Sequence, residues 1–134
     1  MVVLDTSIII EHLRQSKDTV SVLRKLRKNY ANTNKLCISV ITVQELFQGQ
    51  SSKLKKEEDI ILSIVNGLDI LPYTFSIARR AGEIVRDSLS TKVNFIDAMI
   101  AATSIECNGN LVTLNIKHFD LITGLRLIYP KDLN

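Results

Sequence analysis

The run VVLDTSIII at residues 2–10 constrains this chain more than any other stretch in it. Val2, Val3 and Leu4 read as a short buried strand, and Ile8, Ile9, Ile10 and Leu13 as the buried face of the helix that follows. Asp5 falls at the junction. It stands at a strand's carboxyl end, against the positive end of a helix, with the hydroxyls of Thr6 and Ser7 beside it. A carboxylate among apolar residues is costly unless something uses it. In α/β proteins that edge of the sheet is where ligands bind, so the question is whether other acids reach the same edge.

The rest of the chain repeats the alternation. Val20, Leu23, Leu26 and Tyr30 recur at helical spacing, with Arg24, Lys25, Arg27 and Lys28 on the other faces. Leu36 to Ser39 is a second strand, followed by a helix from about Ile41 to Gln48 that Gly49 ends from the usual C-terminal position. Lys53 to Asn66 is a longer helix stopped by Gly67. Leu54, Ile61, Ile64, Val65 and Leu68 form its buried stripe, while Ile60 and Leu62 fall outside it and predict a second packing surface, such as another subunit. Asp69 to Tyr73 is a third strand, and Phe75, Ala78, Gly82, Val85 and Leu89 follow in three-four helical spacing. Asn94 to Glu106 is a helix closed by Asn108-Gly109. Leu111 to Leu114 is a fourth strand, Ile116 to Phe119 a brief turn, and Leu127-Ile128 a last edge strand. Apolar strands alternating with helices predict an α/β fold with a mostly parallel central sheet of about four to five strands, flanked by helices.

With 134 residues the chain is expected to form one domain, 1–134, with a core large enough to need no disulfide or structural metal. Its 46% hydrophobic content, two prolines and five glycines exclude a disordered or low-complexity chain. No apolar run is long enough to span a bilayer. The N-terminus lacks a basic region and carries Asp5 inside its apolar stretch, so it does not read as a signal peptide. Cys37 and Cys107 have no metal-site spacing and read as reduced residues of a cytoplasmic protein. A net charge of +3 favours a polyanionic partner.

Other acids do recur at helix starts. Glu45 lies in the first turns of the helix after the second strand, and Asp97 in the first turn of the helix near Asn94. Asn115 follows the fourth strand, with Asp120 a turn later. Strand ends and following helix starts share one edge of a parallel sheet, so Asp5, Glu45 and Asn115 can converge. Asp97 is the less expected member, because its helix follows another helix. No Lys, Arg or His within these motifs neutralises the acids, and clustered carboxylates resist being charged together. A hard divalent cation, Mg²⁺ or Mn²⁺, would resolve that conflict in an all-oxygen site. The chemistry implied is metal-assisted hydrolysis of a phosphodiester.

Each acid also has a capping explanation. Asp5 suits an N-cap, Thr42 to Glu45 has the spacing of a capping box, and Asn94 to Asp97 nearly does. Capping and metal binding are not exclusive, and spacing leaves both open.

At these residues the chain resembles the PIN-domain family, in particular the VapC-type toxins of prokaryotic toxin–antitoxin pairs. The resemblance spans the chain: LDTSIII at the start, ITVQELFQG, then FIDAMIAATSIECNGNLVTLNIKHF. It implies a Rossmann-like fold and a Mg²⁺-dependent endoribonuclease held inactive by a small cognate antitoxin. On this likeness Asp5, Glu45 and Asp97 match the family's acidic positions, with Asp5 and Asp97 as direct metal ligands. Ser7 and Thr113 match hydroxyl positions that support the site. Many relatives carry an aspartate where this chain has Asn115, which adds no negative charge and puts a second metal in doubt; Asp120 is a candidate to compensate.

Arg24, Lys25, Arg27, Lys28, Lys53, Lys55 and Lys56 are candidate phosphate contacts or simply a solvated surface. His12 and His118 have no Asp or Ser partner at suggestive spacing and receive no role. An aspartate phosphorylated at a strand end would need a neighbouring acid and a strand-end lysine, and both are missing here. A PIN-fold module that binds RNA or protein without cutting is the alternative to the nuclease.

Overall fold

The computed structural model describes residues 1–16, 18–30, 32–33, 35–88 and 93–134. Five strands form one sheet: β1 (Val2–Leu4), β2 (Leu36–Ser39), β3 (Asp69–Leu71), β4 (Asn110–Val112) and β5 (Leu127–Ile128). Their spatial order is β3-β2-β1-β4-β5, and every neighbouring pair is parallel. Parallel neighbours need helical crossovers, which are α1 (Thr6–Arg14), α2 (Val22–Tyr30), α3 (Val40–Gln48), α4 (Lys55–Val65), α5 (Phe75–Asp87), α6 (Phe95–Glu106) and the single turn α7 (Ile116–Phe119). The expected α/β architecture is the observed one.

The period-2 alternation of the central strands divides the core. Val2 and Leu4 pack on one face with Leu23 and Leu26 of α2 and Ile61 and Ile64 of α4. Val3 and Leu111 pack on the other face with Ile77 and Ile84 of α5, Ile100 of α6 and Phe119 of α7. Burying each such side chain is worth about 1.5–3 kcal/mol, so β1 is held between both layers and cannot slip register. α6 ends in a hydrogen-bonded cap: Gly109 N–H donates to Ser104 O at 2.8 Å and Asn108 N–H to Ile105 O at 3.0 Å. Asn108 takes the left-handed conformation (φ 53°) that this cap requires.

Four local expectations are corrected. Gly49 follows α3 in an extended conformation (φ −65°) rather than a left-handed one, because a 3₁₀ turn at Gln50–Lys53 continues directly. Leu54 is 63% exposed and outside the buried stripe, since α4 starts after it. β3 stops at Leu71, before Tyr73. On α5 the buried side chains are Ile77, Ala81 and Ile84, while Phe75 is 85% exposed and Ala78 and Gly82 face outward. The helix has two apolar stripes, and the one bearing its isoleucines meets the sheet layer. Leu89 lies outside the described residues. Among those described, no helix is long and apolar enough to cross a membrane.

Candidate active site

The sheet order reverses at β1, with β2 and β3 to one side and β4 and β5 to the other. Such a switch point leaves a crevice outside the carboxyl ends of the strands. Asp5 stands there, only 4% exposed. Its N–H donates to Val112 O of β4 at 2.9 Å. It occupies the N-cap position of α1, yet its side chain accepts no backbone N–H of that helix. Oδ2 instead accepts the hydroxyls of Ser7 at 2.6 Å and Thr113 at 2.7 Å. Both hydroxyls accept in turn, Ser7 Oγ from Leu114 N–H at 3.1 Å and Thr113 Oγ1 from Asn115 N–H at 2.9 Å. The carboxylate is thereby tied to the loop after β4, and capping does not explain it.

Glu45 escapes its capping box as well. α3 begins at Val40, with Ser39 accepting Ile41 N–H at 3.2 Å as its N-cap. Thr42 is therefore inside the helix, fully buried, its hydroxyl 3.3 Å from that of Thr6. Thr6 Oγ1 donates to Glu45 Oε1 at 2.6 Å. Capping is real only at Asp97. Asn94 Oδ1 accepts Asp97 N–H at 2.8 Å, while Asn94 Nδ2 donates to Asp97 Oδ2, also at 2.8 Å. A second donor reaches the same Oδ2, His118 Nδ1 of α7 at 2.9 Å.

These acids sense one another. Burial raises the Glu45 carboxyl above its ordinary range; the Thr6 hydrogen bond opposes this, and the charges of Asp5 and Asp97 add to it. Burial raises Asp97 too, against the hydrogen bond and charge of His118, with Asp5 again adding. Among the described residues, no group of three or more His, Cys, Asp or Glu side chains is arranged to hold a metal ion alone. Mg²⁺ seldom needs such a cage, since it commonly takes one or two carboxylates and keeps several waters. The donor set fits that habit: Asp5 and Asp97 each have Oδ2 engaged by donors, which leaves Oδ1 for a cation whose charge would relieve the repulsion.

Asn115 begins α7 at its N-cap, exposed, with no side-chain capping bond; its carbonyl accepts His118 N–H at 2.9 Å. Asp120 is exposed at the far end of the same turn. Of the basic candidates, Arg24, Arg27 and Lys28 on α2 and Lys53, Lys55 and Lys56 before and within α4 are exposed, and Lys55 pairs with Asp59 at 2.9 Å. Sequence reasoning missed the partners of both histidines. His12 Nδ1 lies 2.6 Å from Ser21 Oγ, and His118 meets an acid 21 residues upstream. No local spacing signals either contact; for His118 the only clue is that the turn after β4 and the start of α6 share an edge.

A model of the PIN domain matches residues 2–124. Ribonuclease VapC10 of Mycobacterium tuberculosis is 30% identical over 128 residues, which are 94% of this chain and 91% of that protein. The tRNA(fMet)-specific endonuclease VapC of Salmonella typhimurium is 33% identical over 101 residues, covering 72% of this chain and 76% of its own length. Among solved structures, DNA-bound VapBC from Salmonella typhimurium superposes with a TM-score of 0.83 at 27% identity, covering 96% of this chain and 97% of that one.

Proposed function

Because this chain belongs to the PIN-domain family, we propose that it is a Mg²⁺-dependent endoribonuclease, with Mn²⁺ able to substitute, and the toxin of a toxin–antitoxin pair. The carrying observation is Asp5: a buried carboxylate in an N-cap position that caps nothing and is held by two hydroxyls at the switch point of the sheet. A purely structural aspartate there would bond the helix N–H groups. The named activities of the two VapC relatives and the net charge of +3 support RNA as the substrate.

Asp5 and Asp97 hold the ion, whose chemistry is to make a water more acidic and to offset charge developing on a phosphoryl oxygen. Ser7 and Thr113 orient Asp5 through Oδ2. Glu45, whose Oε1 accepts the Thr6 hydroxyl at 2.6 Å, keeps its other oxygen to take a proton from a water at the site. Asn115 offers a neutral side chain at the crevice mouth to orient water or substrate. Asp120 is assigned no role.

The partners proposed are a cognate antitoxin and a second copy of this chain, in the cytoplasm. Support for the antitoxin comes from the VapBC neighbour and from a groove at Glu45 where Ile10, Leu13, Leu46 and Ile61 lie beside the charged Arg14 and Glu57. Support for a dimer comes from the outward apolar residues Ile60 and Leu62 on α4 and Phe75 on α5; a monodisperse monomer by light scattering at high concentration would remove it.

The test compares wild type with Asp5→Asn for Mg²⁺-dependent cleavage of a mixed RNA pool, with EDTA controls and metal-free melting curves. Metal-dependent cleavage that disappears in a folded Asp5→Asn is expected. The second reading, a PIN-fold module that binds RNA or protein without cutting, draws on the neutral Asn115. It would be favoured by RNA binding without cleavage that Asp5→Asn leaves unchanged.

A further inference from the structure

α7 is a single turn anchored by the fully buried Phe119. The neighbouring His118 side chain is 54% exposed, yet its ring is engaged, with Nδ1 2.9 Å from Asp97 Oδ2. An ionised carboxylate oxygen only accepts, so Nδ1 carries the hydrogen and donates. The same oxygen receives Asn94 Nδ2 at 2.8 Å. Two donors from different elements, the N-cap of α6 and the turn after β4, thus converge on one oxygen. A carboxylate free to rotate offers either oxygen to a ligand. One pinned by two donors offers only the other.

The contact is not needed to start α6, because Asn94 Oδ1 already caps the helix at Asp97 N–H. The histidine end of the pair is half exposed although Asp97 is nearly buried, so its contribution to stability is modest. What it does accomplish is a link between the two acids. The stretch from Thr113 to His118 touches Asp5 at one end and Asp97 at the other.

We infer that His118 is the positioning residue of Asp97: its Nδ1–H, with Asn94, fixes Oδ2 and so leaves Oδ1 for a divalent cation. This rests on the reading of Asp97 as a metal ligand. Outer hydrogen bonds to ligating groups typically change metal affinity by about 10–100-fold when removed.

The experiment is calorimetric titration of Mn²⁺ alone into the full chain, for wild type, His118→Leu, His118→Asn and Asp97→Asn, with metal-free melting curves for each. Asparagine places its amide nitrogen where histidine carries Nδ1, without the charge or the outer ring nitrogen. His118→Leu should bind Mn²⁺ about 10-fold or more weakly while melting as wild type does without metal, and His118→Asn should stay near wild type. If His118→Leu binds as wild type while Asp97→Asn is weakened, the positioning role is overturned and the metal reading stands. Equal weakening in His118→Leu and His118→Asn also overturns it, because the Nδ1 bond would then not be what matters. A wild type that binds no Mn²⁺, or an Asp97→Asn that binds as wild type does, removes the metal reading and this inference with it.

Discussion

Thr113→Val tests whether the hydroxyl relay is what holds Asp5. Valine keeps the shape of threonine and removes one hydroxyl, which donates to Asp5 Oδ2 at 2.7 Å and accepts Asn115 N–H at 2.9 Å. Thr113 is fully buried and Asp5 is nearly so, so water cannot replace the lost donor. Hydrogen bonds to charged groups are worth about 1.5–3 kcal/mol. Ser7 still donates to the same oxygen, and Asn115 is exposed and regains water at its N–H, so the cost belongs at the lower end, about 1.5–2 kcal/mol. For a chain of this length that lowers the melting temperature by roughly 5–8 °C. The assay is urea unfolding in EDTA, run as a double-mutant cycle with Asp5→Ala. Without Asp5 the Thr113 hydroxyl has lost its acceptor, so Thr113→Val should cost little or even stabilise, giving a coupling of at least about 1.5 kcal/mol. Thr113→Ser should recover most of the loss. Equal costs of Thr113→Val in both backgrounds would refute the relay.

Gly109→Ala should destabilise by about 1–3 kcal/mol in the same urea assay, because a Cβ there would stand 3.1 Å from Val3 Cγ2 and 3.5 Å from Met1 O. An unchanged midpoint would mean that β1 yields freely. Burial, then the charges of Arg24 and Arg27, hold His12 below its ordinary value, with Glu11 opposing. The fold therefore prefers the neutral ring. Its contribution is complete above the unfolded value near 6.5 and is lost as pH falls below it. Stability curves of wild type and His12→Gln from about pH 8 to 5 should diverge only on the acid side; parallel curves would exonerate His12.

The sheet was legible because each strand is a short apolar run and each crossover has a helical period. Which face of a helix turns inward was less so. On α5 the stripe through Phe75, Ala78, Gly82 and Val85 scores as well by spacing as the one through Ile77, Ala81 and Ile84, yet only the second is buried. Periodicity locates a helix but does not choose between two apolar stripes; the neighbouring layer chooses, and no local window contains it. Gly49 shows the same limit at a boundary. Glycine permits a left-handed cap, and the chain declined it because a 3₁₀ turn begins immediately.

The acids of the candidate site could be picked out along the chain, but their hydrogen bonds could not. Spacing presented Asp5, Glu45 and Asp97 as three equivalent capping candidates, and geometry separates them. Asp97 is part of a cap and still has a second donor from another element; Glu45 bonds a threonine 39 residues away; Asp5 sits in a cap position, yet its carboxylate accepts no backbone N–H of the helix. A cap is a local bargain, settled within one turn by a backbone N–H. Ser7 to Asp5 and Asn94 to Asp97 stay within a turn, but each acid also takes a bond that crosses the chain, from Thr113 to Asp5, from Thr6 to Glu45 and from His118 to Asp97. Long-range donors aimed at buried carboxylates hold oxygens in place where helix formation gains nothing from it. That difference sets these acids apart from ordinary helix caps, and it becomes visible only once the strands have brought their ends together.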